Sequence, residues 1–241
     1  MANFLSKYPT FGTKNNRKNI GFQKSSPYYW WWEYLRRNKN YLACCEKGGK
    51  GKCAKLYESF GDVRSDDFRK WWMDGQRGAM LFSEMPTITT LKELKTKDDW
   101  DEGWIKEDVM VVAVPMTRNK RDLQRFFAQL LKKSHSAKRG RVAKVFAKST
   151  AQFPLSRNFT VQSLETALLV YDKYLELKAL DEKVRLWQVG VSLGIPPTAM
   201  PEQSDTKKTT FSKRNQIAAT IKRYLNQAEK SIANTGLGIF P

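Results

Sequence analysis

The chain has 241 residues, 41% of them apolar, which is enough to bury a core and too many for a disordered tail. Lys and Arg number 43 against 24 Asp and Glu, a formal charge of +19 with a pI near 9.8. Such an excess points to a polyanionic partner, nucleic acid ahead of a membrane surface. No apolar run nears the roughly 20 residues of a transmembrane helix, and the opening MANFLSKYPTFGTKNNRKN has no apolar stretch of signal-peptide length. The expectation is a cytoplasmic, nucleoid-associated protein with no membrane partner.

Residues 1–27 carry Lys7, Lys14, Arg17, Lys18 and Lys24 and no acid, so they read as a flexible basic arm. Ser26 is a plausible N-cap and Pro27 suits the first helical position, predicting a helix from Tyr28 to about Arg37. Within SSPYYWWWEYLRRN, helical spacing puts Tyr28, Trp31, Trp32 and Leu35 on one face, as a core stripe. Trp30, Tyr34 and Arg37 lie nearly opposite, joined by Tyr41 if the helix continues; this second stripe is a candidate stacking or partner surface. Short helices are predicted over 40–46 and 54–60, around the GGKGK turn at 48–52. Ser65 can cap a helix carrying Phe68, Trp71 and Trp72 that stops near Gly75–Gly78.

Cys44, Cys45 and Cys53 form a CC-x7-C group, but a structural zinc site wants four ligands in paired spacing and the single histidine, His135, is remote. Free thiols are expected, with no metal or other cofactor. MLFSEM (80–85) reads as a short strand, and the β-branched run DVMVVAVPM (108–116) as the clearest strand in the chain. Between them, Asp98, Asp99, Asp101 and Glu102 can be weighed as a Mg²⁺ site for a nuclease, against the commoner role of loop acids as solvated or capping groups.

Residues 119–133 predict an amphipathic helix with Leu123, Phe126, Phe127, Leu130 and Leu131 on one face. From Arg118 to Arg157 there are twelve Lys and Arg against one acid, Asp122. Arg118, Lys120, Arg121, Lys132, Lys133, Lys138, Arg139, Arg141 and Lys144 are therefore candidate phosphate contacts. Residues 160–233 are helical again, with Leu164, Leu168, Tyr171 and Leu175 at helical spacing. A second helix from about Asp181 to Leu193 is closed by Gly194, then comes a Pro-rich insert, IPPTAMPEQSDTKK. The last helix is expected to start at a Ser212 cap and end before Asn234–Gly236.

That last helix has two faces. Ile217, Ile221, Tyr224, Leu225, Ala228 and Ile232 gather on one side; Asn215, Gln216, Ala219, Lys222, Arg223, Asn226 and Lys230 face away, with Lys213 and Arg214 ahead of them. Asn and Gln can pair bidentately with adenine, Arg and Lys can reach guanine or phosphate, and a small Ala permits close approach. The preceding VRLWQVGVSLGI resembles the second helix and turn of a helix-turn-helix, although some 17 residues follow its glycine before the recognition helix, so either the motif is expanded or residues 198–204 form a small helix.

Four segments carry a wider likeness: YYWWWEYLRRN, the FGDV…DFRKWW block, VVAVPM followed by a basic helix, and the ending TIKRYLNQAEKSIANTGLGIFP. They resemble a family of transcriptional-regulator-like proteins from proteobacterial integrative elements and prophages. The resemblance implies a helix-turn-helix-like C-terminal region and a role in a mobile element, and supplies no catalytic residues.

The fold expected is mainly α with a small β element (α+β). Its parts are a basic arm (1–27), an aromatic-rich helical domain with short strands (28–116), a basic helix and linker (117–159) and a helix-turn-helix-like domain (160–241). The function expected is duplex-DNA binding by a transcriptional regulator or recombination accessory factor of a bacterial mobile element. The alternative is a nucleic-acid-binding subunit of a ribonucleoprotein or other multi-protein complex, contacting RNA or single strands. Homodimerisation or protein partners fit either. No enzyme is expected: His135 is the only imidazole, and GGKGK lacks phosphate-loop spacing and a following Ser or Thr.

Overall fold

The computed structural model describes residues 3–12, 20–84, 93–100, 110–134, 149–156 and 159–241. It is mostly helical with one two-stranded antiparallel sheet among the described residues, as the sequence predicts. The chain divides into two compact units, residues 1–85 with 145–241, and residues 86–144.

The larger unit is organised around helix α2 (Pro27–Leu35), which follows α1 (Ile20–Lys24). Ser26 is extended and its hydroxyl accepts from the Tyr28 N–H, with Pro27 in the first turn. Every residue of α2 except Glu33 is buried. A helix apolar on all sides must be enclosed on all sides. Helices α3 (Lys39–Glu46), α4 (Ala54–Phe60), α5 (Phe68–Met73) and α6 (Arg77–Phe82) supply much of the enclosure. Tyr28 stacks on Phe82 at 4.7 Å and lies 5.9 Å from Trp72, and Trp32 meets Phe68 at 5.3 Å.

The rest comes from the C-terminal helices α8 (Val161–Leu180), α9 (Leu186–Leu193) and α10 (Lys207–Thr235). Leu164, Ala167 and Leu168 of α8, Ala228 and Ile232 of α10, and Phe240 beyond it belong to the same core as α2. The two helical regions that the sequence separates as domains therefore share one interior, because α2 has more apolar surface than its own neighbours cover. Polar ties cross the same join. Asn38 caps α3 by accepting the Tyr41 N–H at 3.0 Å and donates to the Ile232 carbonyl at 2.7 Å. The Arg37 guanidinium makes a two-pronged bond to Asp172, at 2.7 and 2.6 Å, and a third to Glu33 at 2.6 Å.

Other expectations are corrected. The first residues are docked rather than free: β1 (Asn3–Phe4) pairs antiparallel with β2 (Ser83–Glu84), Phe4 packs near Tyr28 and Trp72, and Phe11 near Phe68. Lys14, Arg17 and Lys18 lie outside the described residues. MLFSEM is helical through Phe82 and extended at Ser83–Glu84, and its Met85 lies outside the described residues. Met110–Pro115 form no strand; a β-branched run needs a partner ladder, and none of the described residues pairs with it, so Met110, Val111 and Val114 stay exposed. α8 runs on to Leu180, so α9 starts at Leu186 rather than near Asp181, and Gly194 closes it at φ 66°. α10 begins one turn and more before Ser212, because Thr206 caps it by accepting the Thr209 N–H at 3.2 Å.

A second core cluster joins α8, α9 and α10 through Val170, Val189, Ala199, Ile217 and Ile221. Gly190 sets that crossing. A Cβ there would lie 2.1 Å from Ile217 Cγ2 and 2.8 Å from the Ile195 carbonyl oxygen. Gly190→Ala is thus expected to cost about 1–3 kcal/mol in urea unfolding, the usual range for an overpacked core. An unchanged midpoint would mean that α9 does not cross α10 at this residue.

The smaller unit shows a 3₁₀ turn at Lys97–Asp99 and helix α7 (Lys120–Ser134), and none of its described residues is buried. Along α7, Leu123, Phe127, Leu130 and Leu131 are half-buried and Phe126 is exposed. Among the described residues, no helix is long and apolar enough to cross a membrane.

Candidate nucleic-acid interface

The 3.6-residue period divides α10 as the sequence predicts. Ile217, Ile221, Leu225, Ala228 and Ile232 are buried, while Asn215, Gln216, Ala219, Lys222, Arg223, Asn226 and Lys230 are all exposed. Among the described residues Lys222, Arg223 and Lys230 have no ion-pair partner; Arg223 rests 5.3 Å from the ring of Tyr224. One acid, Glu229, is exposed at the edge of this stripe beside Lys222.

Lys213 and Arg214 do not belong to the stripe. Lys213 Nζ sits 2.8 Å from Asp205 and 3.6 Å from Glu202, which pins the connection 194–206 against α10. The hydrogen bond to Asp205 raises the Lys213 pKa and lowers that of Asp205. The Arg214 guanidinium lies 4.3 Å from the ring centre of Trp187 on α9. Both cations serve the α9–α10 junction because their helical angles point toward α9 and the connection. That connection carries a single 3₁₀ turn, Pro197–Ala199, with Ala199 in the α8–α9–α10 core, so α10 follows α9 after a long excursion.

Beside the C-terminal half of the stripe lies a cleft of about 400 Å³, lined by Phe159, Ser163, Arg223, Asn226, Gln227, Lys230 and Pro241. Gln227 Nε2 donates to Ser163 Oγ at 3.1 Å, and Ser163 stands in the first turn of α8, where the Thr160 hydroxyl accepts its N–H. Sequence reasoning missed Phe159, Ser163 and Gln227. The first two come within reach of α10 only through the packing of α8 against it, and no local pattern signals that.

The second aromatic stripe is architecture, not a stacking surface. Trp30 is 4% exposed, and Tyr34 and Tyr41 are fully buried. Their polar atoms are all spent inside: Trp30 Nε1 donates to the Lys24 carbonyl at 2.8 Å, Tyr34 to Leu164 at 2.9 Å and Tyr41 to Gly61 at 2.8 Å. Arg37 is held by Glu33 and Asp172. For Trp30 and Tyr34 the cause is the enclosure of α2, which leaves no face for a partner, while Tyr41 lies on α3 and is buried there.

In the smaller unit Arg118, Lys120, Arg121, Lys132 and Lys133 are exposed. Lys138, Arg139, Arg141 and Lys144, and His135 with them, lie outside the described residues. Asp99 is a capping group: its Oδ2 accepts the Lys95 and Thr96 N–H at 2.9 and 3.0 Å. Cys44, Cys45 and Cys53 are buried free thiols, and burial pushes the Cys45 and Cys53 thiols up, away from the nucleophilic thiolate. Among the described residues, no three His, Cys, Asp or Glu side chains converge as metal ligands would.

Comparison with protein-family models, with curated proteins and with solved structures finds no match to this chain.

Proposed function

We propose that the protein binds nucleic acid, duplex DNA first, and acts as a regulator or recombination accessory factor of a bacterial mobile element. One observation carries the DNA reading: the exposed stripe of α10 interleaves Lys222, Arg223 and Lys230, none ion-paired among the described residues, with Asn215, Gln216 and Asn226 around the small Ala219. An ordinary solvated helix face mixes acids with bases and satisfies them in i,i+4 pairs. This one keeps donors and cations unspent on a rigid helix whose other side is locked in the core. The mobile-element role rests on the sequence resemblance alone.

Selection of bound sequences from a random duplex pool tests the proposal, and an inverted repeat would reveal a dimer. On the selected site, Arg223→Ala and Asn226→Ala are each expected to lose about 1–3 kcal/mol of discrimination. Lys222→Ala should weaken all sequences alike and reduce the salt slope by about one. Footprints unchanged by Arg223→Ala and Asn226→Ala would exclude α10 as the reading helix.

A further inference from the structure

We propose that the cleft between α10 and the start of α8 takes an unpaired nucleotide, its base against Phe159 and its phosphate between Arg223 and Lys230. The proposal rests on the nucleic-acid reading above and narrows its ligand.

A helix that only reads a groove needs a convex surface, yet the C-terminal half of the stripe borders a shallow, solvent-open depression of about 400 Å³. That volume falls within the roughly 300–1,000 Å³ of small-ligand sites. The lining chemistry follows the parts of a nucleotide. Phe159 is half-exposed and backed by the fully buried Phe240, with ring centres 6.3 Å apart, so it is a braced platform. Stacking a base on such a ring needs no sequence match, because every base has a π face.

Charge lies on the α10 side of the depression. Arg223 and Lys230, two turns apart on α10, have no ion-pair partner among the described residues. The first turn of the 20-residue helix α8 enters the same cleft at Ser163 and adds the positive end of its dipole. Asn226 supplies an amide with both hydrogen-bonding senses, suited to a base edge. Gln227 is steered by Ser163, which holds its amide nitrogen at 3.1 Å. An aromatic plate, an amide and two cations around one cavity suit a base extruded from its stack better than a smooth duplex.

The test compares a DNA duplex carrying a single 2-aminopurine bulge with the same duplex fully paired, at one salt concentration. The bulged duplex is expected to bind about tenfold tighter, with 2-aminopurine emission rising as the base leaves its neighbours. Phe159→Leu should erase that preference and leave affinity for the paired duplex unchanged. Ser163→Leu, which fills the cleft from α8, should do the same should Phe159→Leu melt early. Equal affinity for the two duplexes with unchanged emission overturns the cleft proposal and leaves the nucleic-acid reading standing. Failure to bind either duplex overturns both.

Discussion

Trp31→Ala is expected to cost roughly 3–5 kcal/mol, the range for truncating a buried aromatic, out of a total near 5–15 kcal/mol for a domain. Trp31 is fully buried and its ring lies among Phe60, Phe82, Phe153 and Phe240, at 5.9, 5.2, 6.3 and 5.4 Å. Four separate stretches of chain lose their common neighbour when it goes. Trp31→Phe should be far milder. Among the described residues the Trp31 indole N–H finds no acceptor, and a buried donor left unmade costs about 1–3 kcal/mol. Phenylalanine loses part of the ring but removes that donor, and the two effects oppose each other. Urea unfolding of the two variants separates them. Equal losses would show that the N–H is satisfied after all.

The second large effect is alkaline unfolding. Burial pushes the Tyr28 phenol up to about 12 and raises those of Tyr29, Tyr34 and Tyr41 as well. Each group is easier to ionise unfolded, at about 10, than folded, so the folded state holds more protons between those values. The stability they contribute is fully present below pH 10 and is lost as pH rises toward 12 and beyond. For Tyr28 alone the rise to about 12 corresponds to roughly 3 kcal/mol. Tyrosinate absorbance from these four rings should therefore rise late, in a sharp step coincident with loss of helical circular dichroism. A single gradual titration of all nine tyrosines near pH 10 would contradict the burial of these four.

Some of the fold was legible because the deciding interactions are local. Ser26 followed by Pro27 announces α2, and Ala54–Phe60 is the helix read from sequence, since caps and periodicity act within one turn. The inner face of α10 was equally plain, because six apolar residues recur on one side. The failures are all tertiary. Met110–Pro115 has strand composition, but composition does not supply a neighbouring strand. The second stripe of α2 looked like a surface because its cover, Leu164 and Phe240, comes from more than a hundred residues later. Charge groups Lys213 and Arg214 with the stripe, although helical angle turns them toward the α9 side. Of the cleft, only the half on α10 could be read; Phe159 and Ser163 join it through packing.

The placement of Phe240 also has a consequence in time. Its ring closes on Trp31 and Tyr34, and its carbonyl accepts the Ser156 N–H at 2.8 Å. The Trp31 and Tyr34 side of the cluster therefore cannot be fully covered until a segment some two hundred positions later has been synthesised. At roughly 5–20 residues per second that side of PYYWWWEYL waits about 10–40 s for its cover. Completion of the core waits on Phe240, and contacts of such long range slow folding further.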